Sequence, residues 1–186
     1  MIPASARNPG RLAATAAMAL SALAPLPALA DVVFTTTLSP ANQVPPVSSP
    51  ATGSATVSYL TATNVLGYTV NFANLTANAV MGHIHFGAPG TNGPVILPFG
   101  NVPATTSGSF SGTLTDANIT NASGGSTLAA IVQQGLLGNL YVNVHTSTFP
   151  NGEIRGQLAA VSLPGTSALL GVAMLGMGLI VRRKRT

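Results

Sequence analysis

The stretch Met81-Gly82-His83-Ile84-His85-Phe86-Gly87-Ala88-Pro89-Gly90-Thr91-Asn92-Gly93-Pro94 decides the fold. Its first half alternates apolar and polar residues with a period of two, the pattern of a strand whose two faces meet different surroundings. Its second half is rich in glycine, proline and asparagine, which stop a strand and turn the chain. His83 and His85 are two of only three histidines in 186 residues. On a pleated strand they project to one side, opposite Ile84 and Phe86. Two later segments repeat the arrangement. In Tyr141-Val142-Asn143-Val144-His145-Thr146, the valines oppose Asn143 and His145. In Gly152-Glu153-Ile154-Arg155-Gly156-Gln157-Leu158, Ile154 and Leu158 oppose Glu153, Arg155 and Gln157. With each aliphatic set facing a core, the three histidines project outward together with Asn143, Glu153 and Arg155.

Working outward, the same alternation predicts strands over Val32–Leu38, Ser54–Leu60, Gly67–Leu75, Ala79–Phe86, Val95–Phe99, Ser107–Thr115, Leu140–Thr146 and Gly152–Leu158. Ala55, Val57 and Tyr59 share one face of the second, and Tyr68, Val70 and Phe72 one face of the third. One helix is expected over Thr127–Leu137, where Leu128, Ile131, Val132 and Leu136 fall at helical spacing before Gly138. About eight short strands with turn residues between them predict an all-β domain, a Greek-key β-sandwich or barrel. No 20–50-residue period repeats, so a solenoid is not expected.

Composition sets the bounds. The chain has no cysteine, so no disulfide supports the core, and its net charge of +4 comes from its two ends. Arg7 and Arg11 lie at one end and Arg182, Arg183, Lys184 and Arg185 at the other. Between them Asp31, Asp116 and Glu153 stand against Arg155 alone. The pI near 10.4 thus describes the tails, and a basic nucleic-acid face is absent from the middle. No nucleic acid is expected as a partner.

The two ends read as addresses. Arg7 and Arg11 precede the apolar run Leu12–Leu23, Pro25 and Pro27 break it, and Ala28-Leu29-Ala30 has the small-x-small form of a signal-peptidase site. Residues 1–30 are therefore expected to be a signal peptide and 31–160 an extracytoplasmic domain. Residues 161–186 form a third segment. Its uncharged stretch 163–181 would span about 28 Å as a helix, near the ~30 Å hydrocarbon thickness. The basic end 182–185 is expected in the cytoplasm before any processing. This tail resembles the PEP-CTERM sorting signals of exosortase-processed bacterial proteins. Val161-Ser162-Leu163-Pro164-Gly165 stands at the place of the usual Pro-Glu-Pro, closer to Leu-Pro variants.

The middle resembles the CHRD (chordin-type) domain. The resemblance is carried by Leu38-Ser39-Pro40-Ala41-Asn42-Gln43-Val44-Pro45-Pro46, by Ala55-Thr56-Val57, and by His83–Pro94. It continues through Tyr141–Thr146 and Pro150–Leu158, in order over roughly residues 32–160. It implies a secreted or surface protein without an established biochemistry; the expected role is structural or adhesive in an extracellular matrix, in contact with polysaccharide or other matrix material. The growth-factor binding of chordin itself is not carried over.

Three readings of the histidines stand side by side. In the first they are structural: Gly87, Gly90 and Gly93 supply positive φ to a tight loop, the imidazoles bond that loop or Glu153, and Arg155 pairs a carboxylate. In the second, His83, His85 and His145 bind copper or zinc, ions that imidazole suits. Their order, His-x-His and then Val-x-Val-His, resembles copper/zinc superoxide dismutase, a Greek-key barrel with its copper ligands outside the barrel. The chain lacks that family's fourth bridging histidine, its zinc-ligand cluster and its cysteine pair, so dismutase chemistry is not expected. A metal would require ring nitrogens roughly 3–4 Å apart, with Glu153 or the loop carbonyls after Phe86 orienting the rings. The third reading is hydrolysis with Glu153, His145 and a serine or threonine. Gly108-Ser109-Phe110-Ser111-Gly112 lacks the Gly-x-Ser-x-Gly spacing of a nucleophile elbow. No catalytic residue is assigned.

Overall fold

Alternating aliphatic and hydroxyl residues fold residues 31–161, the part that the computed structural model describes, into two antiparallel sheets. In chain order the strands are β1 Val32–Leu38, β2 Thr52–Leu60, β3 Val65–Ala73, β4 Ala79–Phe86, β5 Val95–Pro98, β6 Gly108–Leu114, β7 Leu140–Thr146, β8 Ile154–Gln157 and β9 Ala159–Val161. One sheet runs β6-β3-β2-β1-β9 and the other β5-β4-β7-β8. The chain lays β1 to β3 as a meander and crosses to place the β4–β5 hairpin on the second sheet. It then returns β6 beside β3, crosses again to set β7 beside β4, and ends with β9 beside β1. The architecture is a two-layer β-sandwich.

Its core lies between the sheets, where the alternation places it. Phe34, Val57, Val70, Ile84, Val142, Val144 and Ile154 are all buried there. The expected inner faces Ala55/Val57/Tyr59 and Tyr68/Val70/Phe72 are buried as read. The helix, α1 Leu128–Leu136, starts where a cap allows it: Thr127 stands in extended backbone and its hydroxyl accepts from the Ala130 amide at 3.2 Å. Leu128, Ile131 and Val132 face inward, and Gly135 leaves room for the Phe34 ring.

Two sequence expectations need correction here. Nine strands form among the described residues, where eight were expected. The additional one, β9, is Ala-Ala-Val with all three residues exposed, so it carries no alternation to read. It pairs with β1, Val33 opposite Val161. The segment Gly152–Leu158 contributes only Ile154–Gln157 as strand, because Gly152 has φ +119° and lies in the preceding turn. Among the described residues no helix is long and apolar enough to cross a membrane. The signal peptide expected over 1–30 and the span expected over 163–181 lie outside the described residues.

Candidate metal centre

The outward-pointing face of β7, and of β4 at His85, is not open to solvent. Every residue of β7 is buried, which no two-sided strand can achieve without a cover on its polar side. The cover is made of the 39–51 segment, the 87–94 loop and the 147–152 turn, whose residues bond the side chains of that face. The expectation of an outward set is therefore corrected: His85, Asn143, His145 and Arg155 are turned away from the hydrophobic core but are buried, and Glu153, also buried, turns its carboxylate to the valine side of β7.

Antiparallel pairing brings the histidines together. His83 lies opposite Asn143, His85 opposite Tyr141, and Met81 opposite His145. His83 and His145 are therefore diagonal neighbours on one face. His83 Nδ1 is 3.2 Å from His145 Nε2. One ring nitrogen from each of His83, His85 and His145 lies within 4.8 Å of the others. All three expected ligands converge.

The carbonyls around the rings fix their tautomers. His85 Nδ1 lies 2.9 Å from the Gly93 carbonyl oxygen, and His145 Nδ1 lies 2.9 Å from that of Pro150. A carbonyl only accepts, so both Nδ1 atoms carry the proton and both Nε2 atoms present a lone pair. His85 Nε2 is buried and has no hydrogen-bond partner. An orphaned buried acceptor is costly. A ring locked to a backbone carbonyl on one nitrogen, with its other lone pair free, is the usual posture of a metal-ligating histidine.

With its Nδ1 protonated, His145 Nε2 accepts at 3.2 Å from His83 Nδ1, whose proton a metal would shift to the other nitrogen of that ring; electrostatics keep the three rings neutral. Burial, then the nearness of His145 and His85, pushes His83 down from its ordinary 6.5 to about 4. His85 is lowered by burial and by the nearness of His145 and of the Arg155 cation, against an opposing pull from the Gly93 carbonyl. His145 is lowered by burial, opposed by the Pro150 carbonyl. At neutral pH all three are uncharged imidazoles, the form that binds a metal.

The remaining expected residues build the surround. Tyr141 stacks on His85, centroids 4.7 Å apart and planes 11° apart, and the Arg155 guanidinium carbon lies 3.5 Å from the Tyr141 ring centroid. Arg155 donates to the Thr91 carbonyl at 2.7 Å and to Asn92 Oδ1 at 3.0 Å. Its hydrogen bonds go to the 87–94 loop and not to a carboxylate, which corrects the expected pairing. Asn143 accepts from Gln43 Nε2 at 2.7 Å and donates to the Asn151 carbonyl at 3.3 Å, clamping two loops over the site.

Glu153 departs further from expectation. Its carboxylate accepts from the Ser49 hydroxyl, the Thr76 amide and hydroxyl, and the Thr146 hydroxyl at 2.6–3.0 Å. No histidine is among these partners. Thr146 belongs to the valine face of β7, so this carboxylate works on the opposite side of the strand from His145. The Glu-His pair of a hydrolytic triad is not assembled. His145 spends its Nδ1 on Pro150 and turns its Nε2 toward His83.

Of the loop glycines, only Gly90 has positive φ, at 75°. Gly93 is required for close approach instead, since a Cβ there would overlap the Phe86 carbonyl oxygen. Gly87 packs against the Tyr141 ring and Thr91. Tyr141, Gln43, Asn92, Ser49, Thr76 and Thr146 were not among the expected site residues. Alternation with Asn143 and His145 was a usable signal for Tyr141. The loop residues had none.

The family model of the CHRD domain matches residues 34–158. No curated protein and no solved structure matches the chain. The match spans both sheets, the histidine cluster and the loops that cover it, and well over half of the sequence: the chain belongs to the CHRD-domain family.

Proposed function

We propose that the domain binds one copper or zinc ion through His83 Nδ1, His85 Nε2 and His145 Nε2. The observation that carries this reading is the buried, unpartnered lone pair of His85 Nε2 beside two further imidazole nitrogens. Three neutral nitrogens suit either metal and leave a coordination position open. The Gly93 and Pro150 carbonyls orient two rings, and the loop carbonyl after Phe86 serves where Glu153 does not. The test is titration of metal-stripped full-length protein in mild detergent, with copper and zinc in separate arms. One equivalent of one or both should bind. Substoichiometric, easily rinsed metal in both arms would refute the reading.

At the level of the whole protein, we read an exported component with a signal peptide at 1–30 and the CHRD domain beyond it. Segment 163–181 is its membrane helix, open to exosortase-type processing, and its role is structural or adhesive in an extracellular matrix. A separate observation favours the matrix role. The outer face of the five-stranded sheet carries two registered rows of exposed, uncharged polar side chains. One row is Thr35, Thr56, Thr69 and Ser111, and the other is Thr37, Ser54, Asn71 and Ser109. Such an array of hydroxyls with one carboxamide suits a neutral polysaccharide, which offers hydroxyls in return. Full-length protein should be retained on an insoluble neutral glucan, and the double substitution Thr56→Glu with Thr69→Glu should release it. Equal retention of both proteins would count against this surface.

A further inference from the structure

The metal reading leaves one electrostatic demand unmet. A divalent ion on three neutral imidazoles keeps its full charge of +2 in a largely buried place. Among the described residues the only anionic side chains are Asp31, Asp116 and Glu153. Asp31 is bonded to Thr61 and Asp116 to Asn64 and the Leu128 amide. Glu153 is spent on Ser49, Thr76 and Thr146. The one cation near the site, Arg155, adds positive charge behind Tyr141. No anion of the described chain is available to the site, so the compensating charge must come from outside.

The fold provides a way in. A cleft of about 580 Å³ reaches two of the three histidines: His85, Tyr141 and His145 line it together with Val47, Phe149 and Pro150. Three of the carboxamides at its edge bond one another or the backbone: Gln43 to Asn143, Asn143 to the Asn151 carbonyl, and Asn92 to the Val44 carbonyl. The surface that faces the cavity is more apolar than polar, with Val47, Phe149 and Pro150 beside the two histidines.

We infer that this cleft binds a small organic monoanion, a carboxylate with a flat apolar body, whose oxygen takes the metal's open position while its body lies between Val47 and Phe149. The inference rests on the metal reading and adds the class of ligand to it. The carboxylate supplies the missing charge, and the apolar walls favour a ring over a methyl group. A small inorganic anion such as azide meets only the first requirement. The volume, within the ordinary range of small-molecule sites, accommodates a single ring with its carboxylate.

The test uses full-length protein loaded with Cu(II), its visible and electron-paramagnetic spectra followed during separate titrations with azide, acetate and benzoate. All three should perturb the metal spectrum. Benzoate should bind about tenfold more tightly than acetate, the gain expected from burying a ring against apolar walls. In Phe149→Ala that ratio should fall severalfold, and Val47→Ala should lower it independently if the first variant folds poorly. Neither substitution touches a ligand or a carbonyl that orients one. Benzoate binding no better than acetate, or an unchanged ratio in both variants, would overturn the inference while leaving the metal site intact. Failure to bind one equivalent of metal would overturn both.

Discussion

Glu153→Ala is expected to destabilise the domain by about 2–4 kcal/mol, the largest stability loss of any single polar substitution in this fold. The carboxylate is wholly buried, and it gathers four donors from three separate segments: Ser49, Thr76 twice, and Thr146. Alanine would leave the Thr146 hydroxyl without its acceptor in a position with no solvent access. It would also detach the 39–51 segment from the turn after β3. Ser49 and Thr76 lie nearer the surface and would recover water, which keeps the estimate below the sum of four charge-assisted bonds. Urea unfolding should report a lower midpoint at unchanged slope. A midpoint within experimental scatter of wild type would mean that the hub carries no net stability.

The same residue sets an acid limit. Burial raises the Glu153 carboxyl, but the bonds from Ser49, Thr76 and Thr146 together outweigh it and hold the group below its ordinary 4.5. A carboxyl with a depressed folded value contributes stability above the unfolded value and loses it as pH falls through the folded one. The histidines act in a higher window. Their folded values lie below 6.5, so the unfolded chain takes up protons first, and stability falls as pH drops from about 6.5, reaching toward about 4 for His83. Metal-free wild type should therefore weaken in two stages. Glu153→Gln should remove the lower stage and leave the upper one.

The difference between Glu153 and the histidines also explains what was legible in the sequence. His83, His85, Asn143 and His145 lie inside β4 and β7, where ladder pairing enforces alternation. Reading the period placed them on one face without any knowledge of the loops. The helix was legible for a similar reason, with a Thr127 cap and three buried residues at helical spacing. Glu153 sits one residue before β8 and directly after Gly152, whose positive φ breaks the pleat. Alternation no longer governs it, so its carboxylate could turn to the Thr146 side. Arg155 was placed on the right face but given the wrong partner. Its acceptors are a backbone carbonyl and an asparagine from 63–64 residues away, contacts that depend on loop closure and leave no periodic trace. Burial of the whole face was illegible for the same reason. The cover is built from prolines, glycines and asparagines whose positions follow turns, and Gly93 matters through the Phe86 carbonyl, not through its own φ.

The histidine substitutions should separate ligands from supports. His85→Ala and His145→Ala should each lower metal affinity by more than about 100-fold, beyond the 10–100-fold typical of losing a group that only orients a ligand. His83→Ala should do the same if its Nδ1 is a ligand, because two nitrogens from β4 and β7 cannot hold the ion as three do. Tyr141→Leu provides the contrast. It removes the ring stacked on His85 and its hydroxyl bond to the Gly93 amide, but no ligand atom. Its affinity loss should stay within the orienting range, about 10–100-fold. Protons compete for the same lone pairs, so wild-type affinity should hold from pH 7 down past the ordinary histidine value and decline only as the depressed values are approached. Exposed histidines would instead lose metal from about pH 6.5 downward. Stability measured on the same variants without metal distinguishes the roles. If the imidazoles were there only to bond loop carbonyls, His85→Ala would unfold the 87–94 loop with or without metal. If they are ligands, replacing His85 removes an orphaned buried acceptor, and the metal-free variant should lose little stability while losing the metal. Large destabilisation of metal-free His85→Ala with metal affinity intact would return the histidines to a structural role.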